Sequence, residues 1–154
     1  MNTQDIIDDI TSKDIQKIRT SSCEIIDSGQ DEAKIKPLIP FIELIRKETN
    51  GLDLGGAFAP NKRFPEYAIK TIEFHRDRNG CTCELYAGEY DCFDPRQEYK
   101  KGHIKLTSEI KGDWAYDYVV ECQKCGEHYD VMERNGHYTW WKWTKKLKTR
   151  HNPG

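Results

Sequence analysis

Asn79-Gly80-Cys81-Thr82-Cys83-Glu84-Leu85-Tyr86, answered about forty residues later by Val119-Val120-Glu121-Cys122-Gln123-Lys124-Cys125-Gly126-Glu127, is the pair of stretches whose reading decides the fold. Two close cysteine pairs form the pattern of a metal clip. Four thiolates suit the tetrahedral coordination of zinc, and in a C-x-x-C-G turn successive backbone N–H groups point at the sulfurs while Gly126 takes the cramped position. The C-x-C pair is the less regular half. On a strand, residues two apart share a face but stand roughly 6–7 Å from each other, too far for one metal. Asn79-Gly80 supplies a turn that would draw them together. The expected ligands are therefore Cys81, Cys83, Cys122 and Cys125.

Two plainer readings compete with zinc. Reduced cysteines often serve only as small buried apolar groups, and paired cysteines also form disulfides. The chain opens M-N-T-Q-D-I-I-D-D-I, without the basic segment and apolar run of a signal peptide. A cytoplasmic, reducing location is expected, which disfavours disulfides. With four thiolates all coordination positions are filled and no metal-bound water remains, so the zinc would be structural. His128, just behind the C-x-x-C turn, and Cys92 are the alternatives that would replace one of the four ligands. Cys23 falls within a helical pattern and reads as core.

The chain has 154 residues, of which 32% are charged and 36% hydrophobic, so any core is modest. A domain built from half of such a chain buries a limited fraction of its surface, which is where a metal staple is useful. No apolar run approaches the roughly twenty residues that span a bilayer, and no membrane association is expected. The formal net charge is -2 with neutral cysteines; four thiolates around one divalent ion would make it about -4. Its distribution is uneven. Residues 1–32 carry eight carboxylates against Lys13, Lys17 and Arg19, whereas the last residues hold Lys142, Lys145, Lys146, Lys148 and Arg150. Such asymmetry can steer a charged macromolecule, although most charge runs are solvated surface.

The pattern changes character near Gly80, giving an expected helical subdomain over 1–79 and a zinc-supported β subdomain over 80–154, or one continuous domain joining both. Ile15, Ile18, Ile25 and Ile26 fall on one helical face, with Thr11 and Asp14 as a capping box. Ile35, Leu38, Ile39, Ile42 and Ile45 recur at helical spacing, Pro40 is expected to kink that helix, and Asn50-Gly51 to stop it. Phe64, Tyr67, Ala68, Thr71, Ile72 and His75 mark a third helix beginning beside Pro65. Past Gly80, H-I-K-L-T-S-E-I-K and Y-D-Y-V-V-E-C alternate as strands, H-Y-D-V-M-E-R returns, and Asn135-Gly136 signals a two-residue hairpin into H-Y-T-W-W-K-W-T. Asp94-Pro95 to Gly102 reads as a polar loop. The expected fold class is α+β: an N-terminal antiparallel helical array, then a small antiparallel sheet with a zinc-ribbon-like knuckle.

Other constellations carry less. G-L-D-L-G-G-A-F-A-P lacks the Gly-Lys-Ser/Thr ending and the strand-to-helix context of a phosphate loop, and reads as an inter-helix turn. Trp141 and Trp143 beside Lys145, Lys146 and Lys148 would make a stacking platform for single-stranded nucleic acid. The competing role is sheet packing, since Trp141 and Trp143 share one face while Tyr138 and Trp140 share the other. The five histidines are scattered, and Cys23 and Cys92 lack an evident activating base. No enzymatic activity is expected.

An acidic amphipathic helical opening, then G-L-D-L-G-G-A-F-A-P-N-K-R-F, then a helix running into C-T-C-E-L-Y, together resemble small bacterial immunity proteins of contact-dependent growth inhibition and other polymorphic toxin systems. The resemblance covers nearly the whole chain, but those proteins span unrelated folds and share no functional signature, so it transfers no binding residue. It implies a cytoplasmic protein that binds the toxic C-terminal domain of a delivered toxin, often a nuclease, and covers its active site or substrate surface. An inhibitor of a phosphate-binding toxin profits from acidic clusters that steer association. On charge alone, Glu84, Glu89, Asp91, Asp94 and Glu98, between the cysteine pairs, are the expected partner-binding residues. The alternative function is a zinc-ribbon-type nucleic-acid-binding module; catalysis ranks third.

Overall fold

The computed structural model describes residues 1–56 and 61–146. The Ala57–Pro60 part of the glycine-rich turn, and Lys148 and Arg150 of the basic tail, lie outside the described residues. The chain divides into two compact units, Met1–Leu85 and Tyr86–Gly154. The division falls a few residues beyond the expected boundary at 79/80, because the segment carrying Cys81 and Cys83 is tied into the helical unit. Gln30 Nε2 donates to the Thr82 carbonyl at 2.9 Å, Thr82 Oγ1 donates to Gln30 Oε1 at 2.7 Å, and the Tyr67 hydroxyl donates to the Leu85 carbonyl.

The helical unit holds α1 (Thr3–Ile10), α2 (Ile15–Asp27), α3 (Glu32–Ile35), α4 (Ile42–Thr49) and α5 (Arg63–Asp77). Its interior is mainly aliphatic: Ile10, Ile18, Ile25, Ile35, Leu38, Ile45 and Ile72 are fully buried. Asp14 caps α2, accepting from the Lys17 N–H at 3.1 Å. Thr11 does not share that cap as expected; it closes α1, where its hydroxyl donates to the Ile7 carbonyl at 2.7 Å. Pro40 does more than kink one helix. Pro37 and Pro40 lack the N–H that a continuing α-helix needs, and Lys36–Phe41 winds as a 3-10 segment between α3 and α4.

The second unit opens with α6 (Pro95–Lys100) where a polar loop was expected. Asp94 accepts from the Arg96 N–H at 2.9 Å and Pro95 occupies the first turn, a capping arrangement that initiates a helix. Four strands follow: β1 (Ile104–Lys111), β2 (Tyr116–Cys122), β3 (His128–Asn135) and β4 (Thr139–Lys145). They form one antiparallel sheet in the order β1-β2-β3-β4. The β3–β4 hairpin forms as the Asn135-Gly136 signal predicts, but Asn135 pairs with Thr139, leaving a three-residue loop instead of two. Between β1 and β2 the register slips at Leu106/Ser108, and Thr107 Oγ1 donates to the Val119 carbonyl at 2.9 Å. One sheet face is buried through Tyr118, Val120, Tyr129, Val131 and Trp143. Trp143 stacks on Tyr86 with ring centroids 4.3 Å apart, and its Nε1 donates to the Phe93 carbonyl at 2.9 Å.

Candidate metal centre

The structure brings all four expected cysteines together: the sulfurs of Cys81, Cys83, Cys122 and Cys125 lie within 4.8 Å of one another. Tetrahedral zinc at about 2.3 Å from each sulfur would place them roughly 3.8 Å apart, so the cluster needs only a small contraction to close on an ion. Cys83 and Cys122 are buried, Cys81 is half-buried and Cys125 is exposed. Neither His128 nor Cys92 belongs to the cluster. The His128 ring lies 3.7 Å from the Glu121 carboxylate, and the Cys92 thiol lies 3.4 Å from Asp91 Oδ1.

Each pair is shaped by its own backbone. Cys122 ends β2, its N–H donating to the Glu127 carbonyl at 2.8 Å while its carbonyl accepts from the Gly126 N–H at 2.9 Å. Gly126 sits at φ +78, a left-handed conformation that favours glycine. The Lys124 N–H approaches the Cys122 sulfur at 3.4 Å, the contact that stabilises a thiolate in such knuckles. Cys81 and Cys83 avoid the spacing problem of a strand because Thr82–Ala87 is a 3-10 segment. Its tight turn, with the Glu84 N–H donating to the Cys81 carbonyl at 3.1 Å, brings the two sulfurs to the same place.

The acidic residues expected at a partner surface fare differently. Glu84 and Glu89 are exposed, and Asp91 is half-buried, accepting from the Tyr138 hydroxyl at 2.9 Å. Asp94 is spent on the α6 cap. Glu98 is 4% exposed, which removes it from any contact surface. Its carboxylate instead gathers the Tyr86 hydroxyl at 2.5 Å, His103 Nδ1 at 2.7 Å and Lys101 Nζ at 3.4 Å. Burial of Glu98 is legible only after α6 is recognised, because it then faces inward three residues after Pro95.

A second buried acid, Glu133, was not anticipated either. It accepts from Trp141 Nε1 at 3.1 Å and from the Tyr116 N–H at 3.3 Å, with Arg96 at 3.9 Å. The Arg96 guanidinium lies over the rings of Tyr116 and Tyr118, at 4.7 and 5.4 Å from their centroids. Among the described residues the buried Tyr118 hydroxyl has no hydrogen-bond partner, and burial pushes its pKa up to about 12. Trp143, expected on a nucleic-acid platform with Trp141, is 4% exposed and fills the core.

No helix among the described residues is long and apolar enough to cross a membrane. Comparison with known proteins finds no matching family model, no matching curated protein and no matching solved structure.

Proposed function

We propose that this chain is a non-enzymatic, cytoplasmic binding protein of the immunity class, which neutralises a cognate bacterial toxin domain by covering its active site or substrate surface. Among the described residues, the one group placed to hold a metal is a set of four cysteines. That observation carries the reading: an all-thiolate site takes structural zinc and leaves no coordination position for a water to be activated. What the metal contributes is fold stability in a unit of limited core. The binding surface must then lie outside the metal site, and the exposed Glu84 and Glu89 suit the basic surface that a nuclease presents to phosphates.

The nucleic-acid reading loses its best stacking ring to the core, keeping only the half-buried Trp140 and Trp141 beside the exposed lysines of β4. The test is co-expression with the toxin domain encoded by the adjacent gene, together with metal analysis of the purified complex. Restored growth and about one zinc per chain is the expected result. Unrelieved toxicity, with recovery of nucleic acid on the purified protein, would replace this reading with the zinc-module one.

A further inference from the structure

The four clustered sulfurs differ in access. Cys83 and Cys122 are 1% and 3% exposed and Cys81 is half-buried, whereas Cys125 stands exposed at the end of the C-x-x-C turn. Access decides where an oxidant attacks, because the thiolate is the nucleophile and burial keeps solutes away from it. A second thiolate waits beside the exposed one. The Cys122 sulfur lies within 4.8 Å of the Cys125 sulfur, and the Lys124 N–H donates to it at 3.4 Å, holding it inside the same short turn. An accessible cysteine next to a resolving one is the arrangement of a redox-sensing pair. Cys81 and Cys83 are more confined: they flank Thr82 on the 3-10 segment, and Gln30 bonds both the carbonyl and the hydroxyl of Thr82.

We propose that the C-x-x-C turn is a peroxide-responsive switch, in which oxidation of Cys125 and Cys122 discharges the metal. This regulation rests on the metal reading of the four cysteines and deepens it. The Cys125 thiolate attacks one oxygen of hydrogen peroxide: an S–O bond forms, the O–O bond breaks and hydroxide leaves, giving a sulfenic acid. The Cys122 thiolate then attacks the Cys125 sulfur, and a second hydroxide leaves as the disulfide forms. Two electrons pass from the sulfurs to peroxide. Cys81 and Cys83 are then the only thiolates left of the set, too few for a structural site that takes four ligands, and the metal is lost. The effect reaches the sheet directly, since Cys122 is the last residue of β2 and its N–H and carbonyl close the turn through Glu127 and Gly126. Thiol–disulfide exchange reverses the step, so a thiol reductant together with zinc resets the turn. The order of the second unit is thereby made conditional on reducing surroundings.

The test uses the full chain, purified under reducing conditions with its zinc counted, and then treated with equimolar hydrogen peroxide beside a colorimetric zinc indicator. The expected result is release of about one zinc per chain, in step with loss of the dispersed strand amides. Peptide mapping of the alkylated product should show Cys122 joined to Cys125 while Cys81 and Cys83 carry the alkylating group. Dithiothreitol with added zinc should restore the spectrum. Cys125→His keeps a fourth ligand, since mixed Cys₃His sites hold zinc, and should slow release by about tenfold or more. Cys81→His leaves the exposed thiolate in place and should release zinc at the wild-type rate. Zinc retained after peroxide, a first disulfide elsewhere in the chain, or equal release from Cys125→His and wild type would overturn the proposal and leave the metal reading standing. A purified chain that holds no zinc before peroxide is added would overturn the metal reading, and the switch with it.

Discussion

The two units solve the same problem with different materials. The helical unit is held by isoleucines: eight of them, Ile10, Ile18, Ile25, Ile26, Ile35, Ile42, Ile45 and Ile72, are at most 2% exposed, and its buried polar residues, Ser21, Ser22, Gln30, Thr71, His75 and Thr82, carry no carboxylate. The sheet unit is built on aromatic rings and buries two carboxylates, Glu98 and Glu133, among them. Aliphatic packing is non-directional and tolerates small shifts, whereas a buried carboxylate is stable only while each donor stays in place. A core of the second kind has a narrower range of acceptable geometries. That is the setting in which a metal held by the four cysteines would have most to contribute.

The contrast is broken most severely by metal removal. Structural zinc contributes on the order of 10 kcal/mol in small metal-dependent domains, so with zinc held as proposed, chelation, or Cys122→Ser with Cys125→Ser, should abolish the dispersed amide spectrum of the strands. The helical signal at 222 nm should largely survive. Concerted loss of both would show that the units are not energetically distinct.

Next in size is Ile25→Ala, which leaves a cavity at a fully buried position and should cost about 2–5 kcal/mol. Hydrogen exchange should place that loss in α2 and α5 while leaving β2 and β3 protected. Glu98→Ala is its counterpart in the sheet unit. It strands the Tyr86 hydroxyl and the His103 ring, and should cost about 2–4 kcal/mol by urea unfolding. Glu98→Gln keeps an acceptor and should recover part of it. If Glu98→Ala proves neutral, the polar network does not govern the second unit.

The smallest effect expected is a pH dependence of the helical unit. Hydrogen bonding to Arg78, then to Lys36, lowers the Glu32 pKa from 4.5 to about 2. A carboxyl with a depressed folded pKa stabilises fully above its unfolded value and loses that contribution as pH falls through the folded one. Glu32→Gln should therefore lower the melting temperature slightly at pH 7 and not at pH 2, flattening the acid limb between about 4.5 and 2. Because Glu32 lies at the surface, its side chain 39% exposed, the change should be small and should shrink further in salt. A Glu32→Gln melting profile parallel to that of the wild type would remove this pair from the account.

Much of this was legible in the sequence, and the failures have identifiable causes. Apolar residues at helical spacing located α2, α4 and α5, and strand-like alternation together with the Asn135-Gly136 turn located the four strands. The cysteine spacing selected the four residues that cluster. The 3-10 turn that makes the C-x-C pair workable has no periodic signature, since it depends on Gln30 holding Thr82 across 52 positions. Helix α6 did carry its signal in Asp94-Pro95, but a single N-cap in a polar run was outweighed by the absence of a hydrophobic stripe. Glu98 was misplaced for the same reason, as nothing in a charged hexapeptide distinguishes the acid that turns inward. Burial of Glu98 and Glu133 is set by donors contributed from other elements, and sequence-local patterns are silent on that.

The register slip in β1 has a further consequence. Leu106 pairs with Val120 on the buried side, yet two residues later Ser108 pairs with Val119 on the open side. The added residue reverses the parity of everything beyond it. Were the same residues paired without the slip, Ile110 would stand opposite Tyr116 and point inward. Deleting Thr107, a change of one codon, would make the ladder regular and still leave Ile110 opposite Asp117, so the outward face of the strand end survives the loss of the one residue that interrupts it.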